Sequence, residues 1–277
     1  MQSPVPPEGG RLGRYAPAAA LTLTAAALVV VFLVLGRHVT GDTSLSSFDQ
    51  QVTDAVVSWR TPGRDIFFWG VTLLGNAVFL GTLTAAIVVA LLIWGLRTRA
   101  ILVAGGIIVA QVISSLTKYA YQRPRPPEEV MLIGAPASHS FPSGHALLTL
   151  VFFVLVIFVV CRCLNRAEGR SGGRRVARPA LKVVSVAVGL VLVAAIGFSR
   201  IYLGVHWTSD VLAGWSLGGA WSAAVFAVLP LWRRNRWAWG EGRPWGSRRS
   251  RTVVLFALAV LVVVAYVIAA VADPLLV

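Results

Sequence analysis

The sequence predicts an all-α fold of one kind, a polytopic bundle of membrane helices. Three observations predict it. First, 57% of the 277 residues are hydrophobic and 13% are charged, with a mean hydropathy of +0.76, too little polar surface to cover a water-soluble domain. Second, seven stretches are nearly free of charge, at residues 16–36, 77–96, 101–117, 143–163, 181–198, 210–232 and 252–272, each close to the length that crosses a hydrocarbon core. Third, the charges are sorted. With the N-terminus in the cytoplasm, inner segments hold 18 of the 25 Lys and Arg, and outer segments hold eight of the eleven acids, which is the positive-inside pattern. That pattern accounts for most of the formal net charge of +14, so no nucleic-acid partner is expected.

Residues 1–15 carry Pro and Gly and are expected to be a disordered cytoplasmic tail. The first span, APAAALTLTAAALVVVFLVLG, is longer than a signal-peptide core and no small-x-small site follows it, so it reads as an uncleaved anchor. Residues 37–76 lie outside and include SLSSFDQQVTDAVVSW. Phe48, Val52, Val56 and Val57 recur there with helical spacing, which predicts a short helix resting on the outer surface. One helix over 66–96 would be over-long, so a break is expected near Gly75-Asn76. Spans two and three form a tight hairpin, and residues 118–142 form a Pro-rich outer loop. Residues 165–180 and 233–251 are basic inner loops; the Trp and Arg of the second suit an anionic lipid surface. Cys161 and Cys163 are the only cysteines; their C-x-C spacing disfavours a disulfide, and they read as ordinary helix residues.

Three polar clusters fall on the outer side of this topology. They are KYAYQRPRP with Lys118, Arg123 and Arg125, PSGH with Ser143, Gly144 and His145, and SRIYLGVHWTSD with Ser199, Arg200, His206 and Asp210. Lys118, Arg125 and Arg200 have no obvious acidic partner in their own motifs. A charge deep in a membrane costs roughly 2.5–3.5 kcal/mol on insertion scales, so three cations at one outer mouth point to an anion that neutralises them. Snorkelling at helix ends would explain Lys118 or Arg200 taken singly. Ser143 and Gly144 open the fourth span, where first-turn amides and the helix dipole suit a phosphate oxygen, although an ordinary N-cap has the same residues. His206 and Asp210 are four apart and would share one helix face. The carboxylate could then hold one ring nitrogen and leave the other free as base or nucleophile; standing alone, such a pair is equally well an interfacial hydrogen bond.

Taken together, Lys-x6-Arg-Pro at 118–126, Pro-Ser-Gly-His at 142–145 and Ser-Arg-x5-His-x3-Asp at 199–210 resemble the motifs of the phosphatidic-acid phosphatase type 2 superfamily. Its membrane members are lipid phosphatases. The resemblance covers roughly residues 45–230. It implies a phosphatase core over 37–232, of the six-helix kind with the first span, and makes residues 252–277 one extra C-terminal transmembrane helix without a motif. It implies that His206 is the nucleophile and forms a phosphohistidine, that Asp210 orients it, and that His145 protonates the departing lipid oxygen. Lys118, Arg125 and Arg200 would hold the phosphoryl oxygens, the amides of Ser143 and Gly144 would complete the cradle, and Ser199 would add a hydrogen bond. Arg123-Pro124 duplicates Arg125-Pro126; the family spacing picks Arg125, and whether Arg123 shares its role stays open. His139 is a bystander or a substrate contact.

The implied substrate is a lipid phosphate in the bilayer: a phosphatidate-like lipid, phosphatidylglycerophosphate or a polyprenyl diphosphate such as the undecaprenyl carrier. The implied setting is a bacterial inner membrane, with the site facing outward. Two other readings stand beside hydrolysis. A phosphotransferase would pass the same phosphoryl group to a sugar or lipid hydroxyl. A non-enzymatic lipid-phosphate binder or transporter would keep the cations without needing the His206–Asp210 pair. The soluble vanadate-dependent haloperoxidases share a similar pocket, but seven spans argue against them. The chemistry asks for fixed positive charge around the transferring group and for two histidines in opposite protonation states, hence a bell-shaped pH profile. The three motifs hold one carboxylate, which is no acid cluster for Mg²⁺, and no cofactor is expected. Phosphate release is therefore expected to survive exhaustive chelation; recovery only on adding Mg²⁺ would overturn this.

Overall fold

The computed structural model describes residues 9–39, 44–134, 136–168 and 177–234, with scattered positions between 252 and 262. Among the described residues there are eight α-helices: α1 Gly9–Val39, α2 Ser44–Ser58, α3 Pro62–Leu73, α4 Ala77–Ile93, α5 Arg97–Tyr121, α6 Gly144–Glu168, α7 Ala177–Tyr202 and α8 Thr208–Arg234. Five carry segments long and apolar enough to cross a membrane: Ala16–Val39, Arg97–Tyr121, Gly144–Asn165, Pro179–Tyr202 and Thr208–Leu229. α3 and α4 meet at 43° and together make a sixth, bent candidate. Most of the expected seventh span and nearly all of the inner loop 233–251 lie outside the described residues, as does the centre of loop 165–180.

The bend falls where Gly75-Asn76 predicts it. Asn76 caps α4 by accepting the Val78 N–H at 2.8 Å, satisfying a donor that the helix start leaves open. Gly75 leaves room for what packs beside it. A Cβ there would stand 2.6 Å from Ile196 of α7 and 2.8 Å from the His145 ring. The α4–α5 hairpin turns at Gly95, φ 72°, and α5 stops at Gln122 in the left-handed conformation, whose N–H bonds the Lys118 carbonyl at 3.0 Å.

The centre of the bundle is α6. Leu147, Val151 and Leu155 are buried against Val103 and Ala110 of α5. α8 meets α6 through Gly214 and Gly218. A Cβ on Gly214 would lie 2.6 Å from the Ser143 carbonyl oxygen, and one on Gly218 would lie 2.8 Å from that of Leu147. This small-x-x-x-small spacing lets two backbones approach where lipid offers no hydrophobic gain. α1 runs along α8, and Phe32 reaches over to stack on Phe141, centroids 5.5 Å apart.

α1 begins at Gly9; extending a formed helix costs far less than nucleating one. α2 is present, and its apolar residues are only partly turned inward. Val56 is buried with Val52 packed beside it, but Phe48 is 44% exposed while Asp49 and Thr53 are inside. Asp49 pairs with Arg123. Breaking a buried ion pair costs about 3–5 kcal/mol, against roughly 1.5–3 kcal/mol for burying one large apolar side chain, so the ion pair outweighs the exposure of Phe48.

Gly214→Ala is expected to destabilise the protein by about 1–3 kcal/mol, the usual cost of overpacking, read as a lower melting temperature in detergent. Unchanged melting would mean that the α6–α8 approach is not tightly held.

Candidate active site

The three motifs lie at one end of the bundle because each occupies a helix end. Lys118 is in the last turn of α5, Gly144 begins α6, Arg200 closes α7 and Asp210 is in the first turn of α8. His206 is not on a helix. It sits in the turn between α7 and α8, after Gly204 at φ 72°, where a Cβ would strike the Val130 carbonyl. The N–H groups of Val205 and His206 donate to the Arg200 carbonyl at 3.2 and 3.3 Å. Arg60, from the α2–α3 link, braces the same turn by donating to the Tyr202 carbonyl at 2.6 and 3.1 Å. The His206–Asp210 pair therefore depends on a turn, not on two positions of one helix face.

The ring of His206 is 3% exposed and Asp210 is fully buried. Nδ1 lies 3.3 Å from Asp210 Oδ2 and 3.4 Å from Ser140 Oγ. Nε2 lies 3.3 Å from Arg125 Nη1. A guanidinium can only donate, so the arrangement favours the tautomer with the proton on Nδ1, donated to the carboxylate, and a lone pair on Nε2. Burial lowers the His206 pKa well below the ordinary 6.5, and the cations of Arg125, Lys118 and Arg200 lower it further. In that tautomer Nε2 presents its lone pair toward the Arg125 guanidinium.

Around it, Arg125 is held by main-chain carbonyls, with Nη1 on Val205 at 2.5 Å and Nε on Ser138 at 2.9 Å. Lys118 Nζ donates to the His139 carbonyl at 2.5 Å. Arg200 is 4% exposed and donates to Thr72 Oγ1 of α3 at 2.7 Å. His145 lies within the fields of Arg200, His206, Lys118 and Arg125, so both histidines and all three cations share one region.

Residues 99–234 match the family model of the PAP2 superfamily. The chain belongs to the PAP2 superfamily. It is 26% identical to phosphatidylglycerophosphatase B of Bacillus subtilis (strain 168) over 191 residues, 69% of this chain and 87% of that protein. It is 35% identical to decaprenylphosphoryl-5-phosphoribose phosphatase of Mycobacterium tuberculosis over 135 residues, 48% of this chain and 63% of the relative. It is 29% identical to undecaprenyl-diphosphatase of Sulfolobus acidocaldarius, over 47% of this chain and 56% of the relative. The fold is similar to the crystal structure of a transmembrane PAP2-type phosphatidylglycerolphosphate phosphatase from Bacillus subtilis, with a TM-score of 0.65 at 23% identity over 78% of this chain and 98% of that one. This PAP2 protein is a multi-pass membrane protein.

Not every residue singled out in the sequence reaches the pocket of this PAP2 protein. Ser199 is fully buried and its hydroxyl donates to Ile196 of its own helix at 2.7 Å. The Ser143 N–H is taken by the Asp210 carbonyl at 3.0 Å, and its hydroxyl faces the Ala146 N–H at 3.5 Å. The open first-turn amides of α6 are therefore those of Gly144 and His145, with the Ser143 hydroxyl as cap. His139 is exposed, and its carbonyl is what serves Lys118 and Arg125. Arg123 separates cleanly from Arg125: it turns away from Nε2 and binds Asp210 Oδ1 at 2.6 Å.

Sequence reasoning missed Ser140 and Asp49. Ser140 is fully buried and donates a short hydrogen bond to Asp210 Oδ2. Its place two residues before Pro-Ser-Gly-His was its only signal. Asp49 lies outside every motif. Ser140→Ala is expected to cost about 1.5–3 kcal/mol, the range for a hydrogen bond to a charged group, measured by thermal melting in detergent; a wild-type melting curve would show that Asp210 does not need this donor.

Proposed function

We propose that this PAP2-family lipid phosphatase removes a terminal phosphate from a lipid phosphate or polyprenyl diphosphate through a phosphohistidine at His206. The carrying observation is the ring orientation, with Nδ1 against Asp210 and Nε2 bare beside Arg125. In this reading Nε2 attacks phosphorus, the bond from phosphorus to the lipid oxygen breaks, and that oxygen takes a proton from His145. Water then attacks the phosphohistidine, His145 recovers a proton from it, and inorganic phosphate leaves with Nε2 restored. Lys118, Arg125 and Arg200 spread the charge of the phosphoryl oxygens, and the Gly144 amide adds a donor at the helix start. Such help is needed because uncatalysed phosphate-monoester hydrolysis is so slow that enzymes accelerate it up to about 10²¹-fold.

The substrate reading rests on what the relatives' names share, a phosphate or diphosphate carried on a lipid. The polar groups gathered here address phosphate, and the tail would stay in the bilayer and enter sideways between helix ends. The charge asymmetry of the loops supports an N-terminus in the cytoplasm and a site at the outer leaflet of a bacterial cell membrane. α1, the bent α3–α4 pair and α5 to α8 would supply the six-helix core, with residues 252–277 as an added helix.

The test is phosphate release from a panel of lipid phosphates by purified protein in nanodiscs. His206→Ala is expected to abolish release and the trapped phosphoenzyme while sparing lipid-phosphate binding; persisting turnover would rule out the phosphohistidine. The pH profile gives a second check. A nucleophile held below 6.5 stays unprotonated as pH falls through that value, so the acid limb of kcat/KM is expected below pH 6.5. A limb at or above it would contradict the assignment.

A further inference from the structure

Behind the His206–Asp210 pair lies a second layer of charge, in which Arg123 meets Asp49, a residue outside all three motifs. Arg123 forks between two carboxylates. Its Nη1 donates to Asp210 Oδ1 at 2.6 Å and to Ser209 Oγ at 2.8 Å, and its Nη2 donates to Asp49 Oδ2 at 2.8 Å. Asp49 Oδ1 accepts the Ser209 N–H at 2.9 Å, and Oδ2 accepts the Ser209 hydroxyl. The Arg123 carbonyl also accepts the Ser140 N–H at 2.9 Å, so Arg123 reaches Asp210 both directly and through the serine that donates to its Oδ2. Asp49 is 1% exposed, Arg123 8% and Asp210 0%.

The charges of this buried row are minus, plus, minus. Arg123 alone would neutralise Asp210 and leave little negative charge facing the imidazole. Asp49 offsets Arg123 and restores a net negative charge on the side of His206. We propose that Asp49 and Arg123 are positioning residues, which hold Asp210 in place and set the charge it presents to His206. This rests on the reading of His206 as nucleophile. Attack through Nε2 makes the ring cationic, and the net negative row would stabilise that cation in a dry site where charge interactions are strong. A purely structural ion pair would predict no influence on how His206 titrates.

The groups that face His206 from the surrounding elements are Lys118 of α5, His145 of α6, Arg200 of α7, Asp210 of α8, and Arg125 with Ser140 of the outer loop. Asp49 of α2 acts through Arg123. Removing one negative charge from this set disfavours the protonated ring, so the acid limb must move to lower pH. It also weakens the nucleophile.

The experiment compares Asp49→Asn, Arg123→Lys and His206→Ala with wild type in nanodiscs, each checked for monodisperse elution and melting. Asp49→Asn is expected to lower kcat about tenfold with KM changed less than about twofold, and to move the acid limb of kcat/KM to lower pH. Arg123→Lys keeps the charge but loses the fork; it is expected to lower kcat with the limb unmoved. Wild-type kinetics in both variants would overturn the proposal, as would lower melting with an unmoved limb in Asp49→Asn. If Asp49→Asn does not fold, the lowered kcat in folded Arg123→Lys carries the test; if neither folds, the pair is only a fold determinant and the proposal fails. Turnover in His206→Ala would instead overturn the functional reading beneath it. An inactive His206→Ala beside wild-type-like Asp49→Asn would sink this inference alone.

Discussion

One fully buried carboxylate organises one end of this bundle. Asp210 takes Arg123 on Oδ1, and takes the Ser140 hydroxyl and the Trp207 N–H on Oδ2, which also faces the His206 ring. An anion removed from water costs several kcal/mol unless close donors surround it. Asp210 can therefore exist only where the α5–α6 loop delivers Arg123 and Ser140 and the α7–α8 turn delivers Trp207. The same demand draws in Asp49 from α2, since Arg123 has a second nitrogen to satisfy. Loop, turn and surface helix are ordered around one charge.

Helix packing and site geometry are coupled through the same atoms. The Ser143 carbonyl that presses on Gly214 belongs to the residue whose N–H bonds the Asp210 carbonyl. The first turns of α6 and α8 are thus joined edge to edge, and that junction places the open amides of α6 beside the His206–Asp210 pair. Gly75 plays the matching part on the far side, letting the α3–α4 bend lie against His145 while Thr72 receives Arg200. In a membrane, small residues give close approach and polar contacts give direction; here both serve the groups that face the pocket.

Several features were legible in the chain because they depend on local or additive physics. Span lengths follow from the cost of exposing apolar surface, and loop charges follow from membrane topology. The break at Gly75-Asn76 follows from a good helix cap beside a residue with no side chain. The short helix over 44–58 was legible as a helix, and Val52 and Val56 of its apolar spacing do pack inside, but the polar part of its buried face was not legible. Phe48 stays exposed, and Asp49 and Thr53 are buried. Periodicity registers apolar burial and has no term for a distant guanidinium.

The sequence by itself determined the class of protein, five or six candidate membrane spans up to α8, and a set of cations and histidines sharing one end of the bundle. Those conclusions need only hydropathy, charge sorting and helix length. Only the tertiary structure decided which of two neighbouring arginines faces the imidazole and which lies behind the carboxylate. It also decided that Ser199 turns back on its own helix, that the Ser143 amide is already engaged, and that Asp49 and Ser140 stand around Asp210. Most of those outcomes are choices between hydrogen-bond partners far apart in the chain, and such choices are made by the geometry of the folded site, where a buried polar group left without a partner is costly.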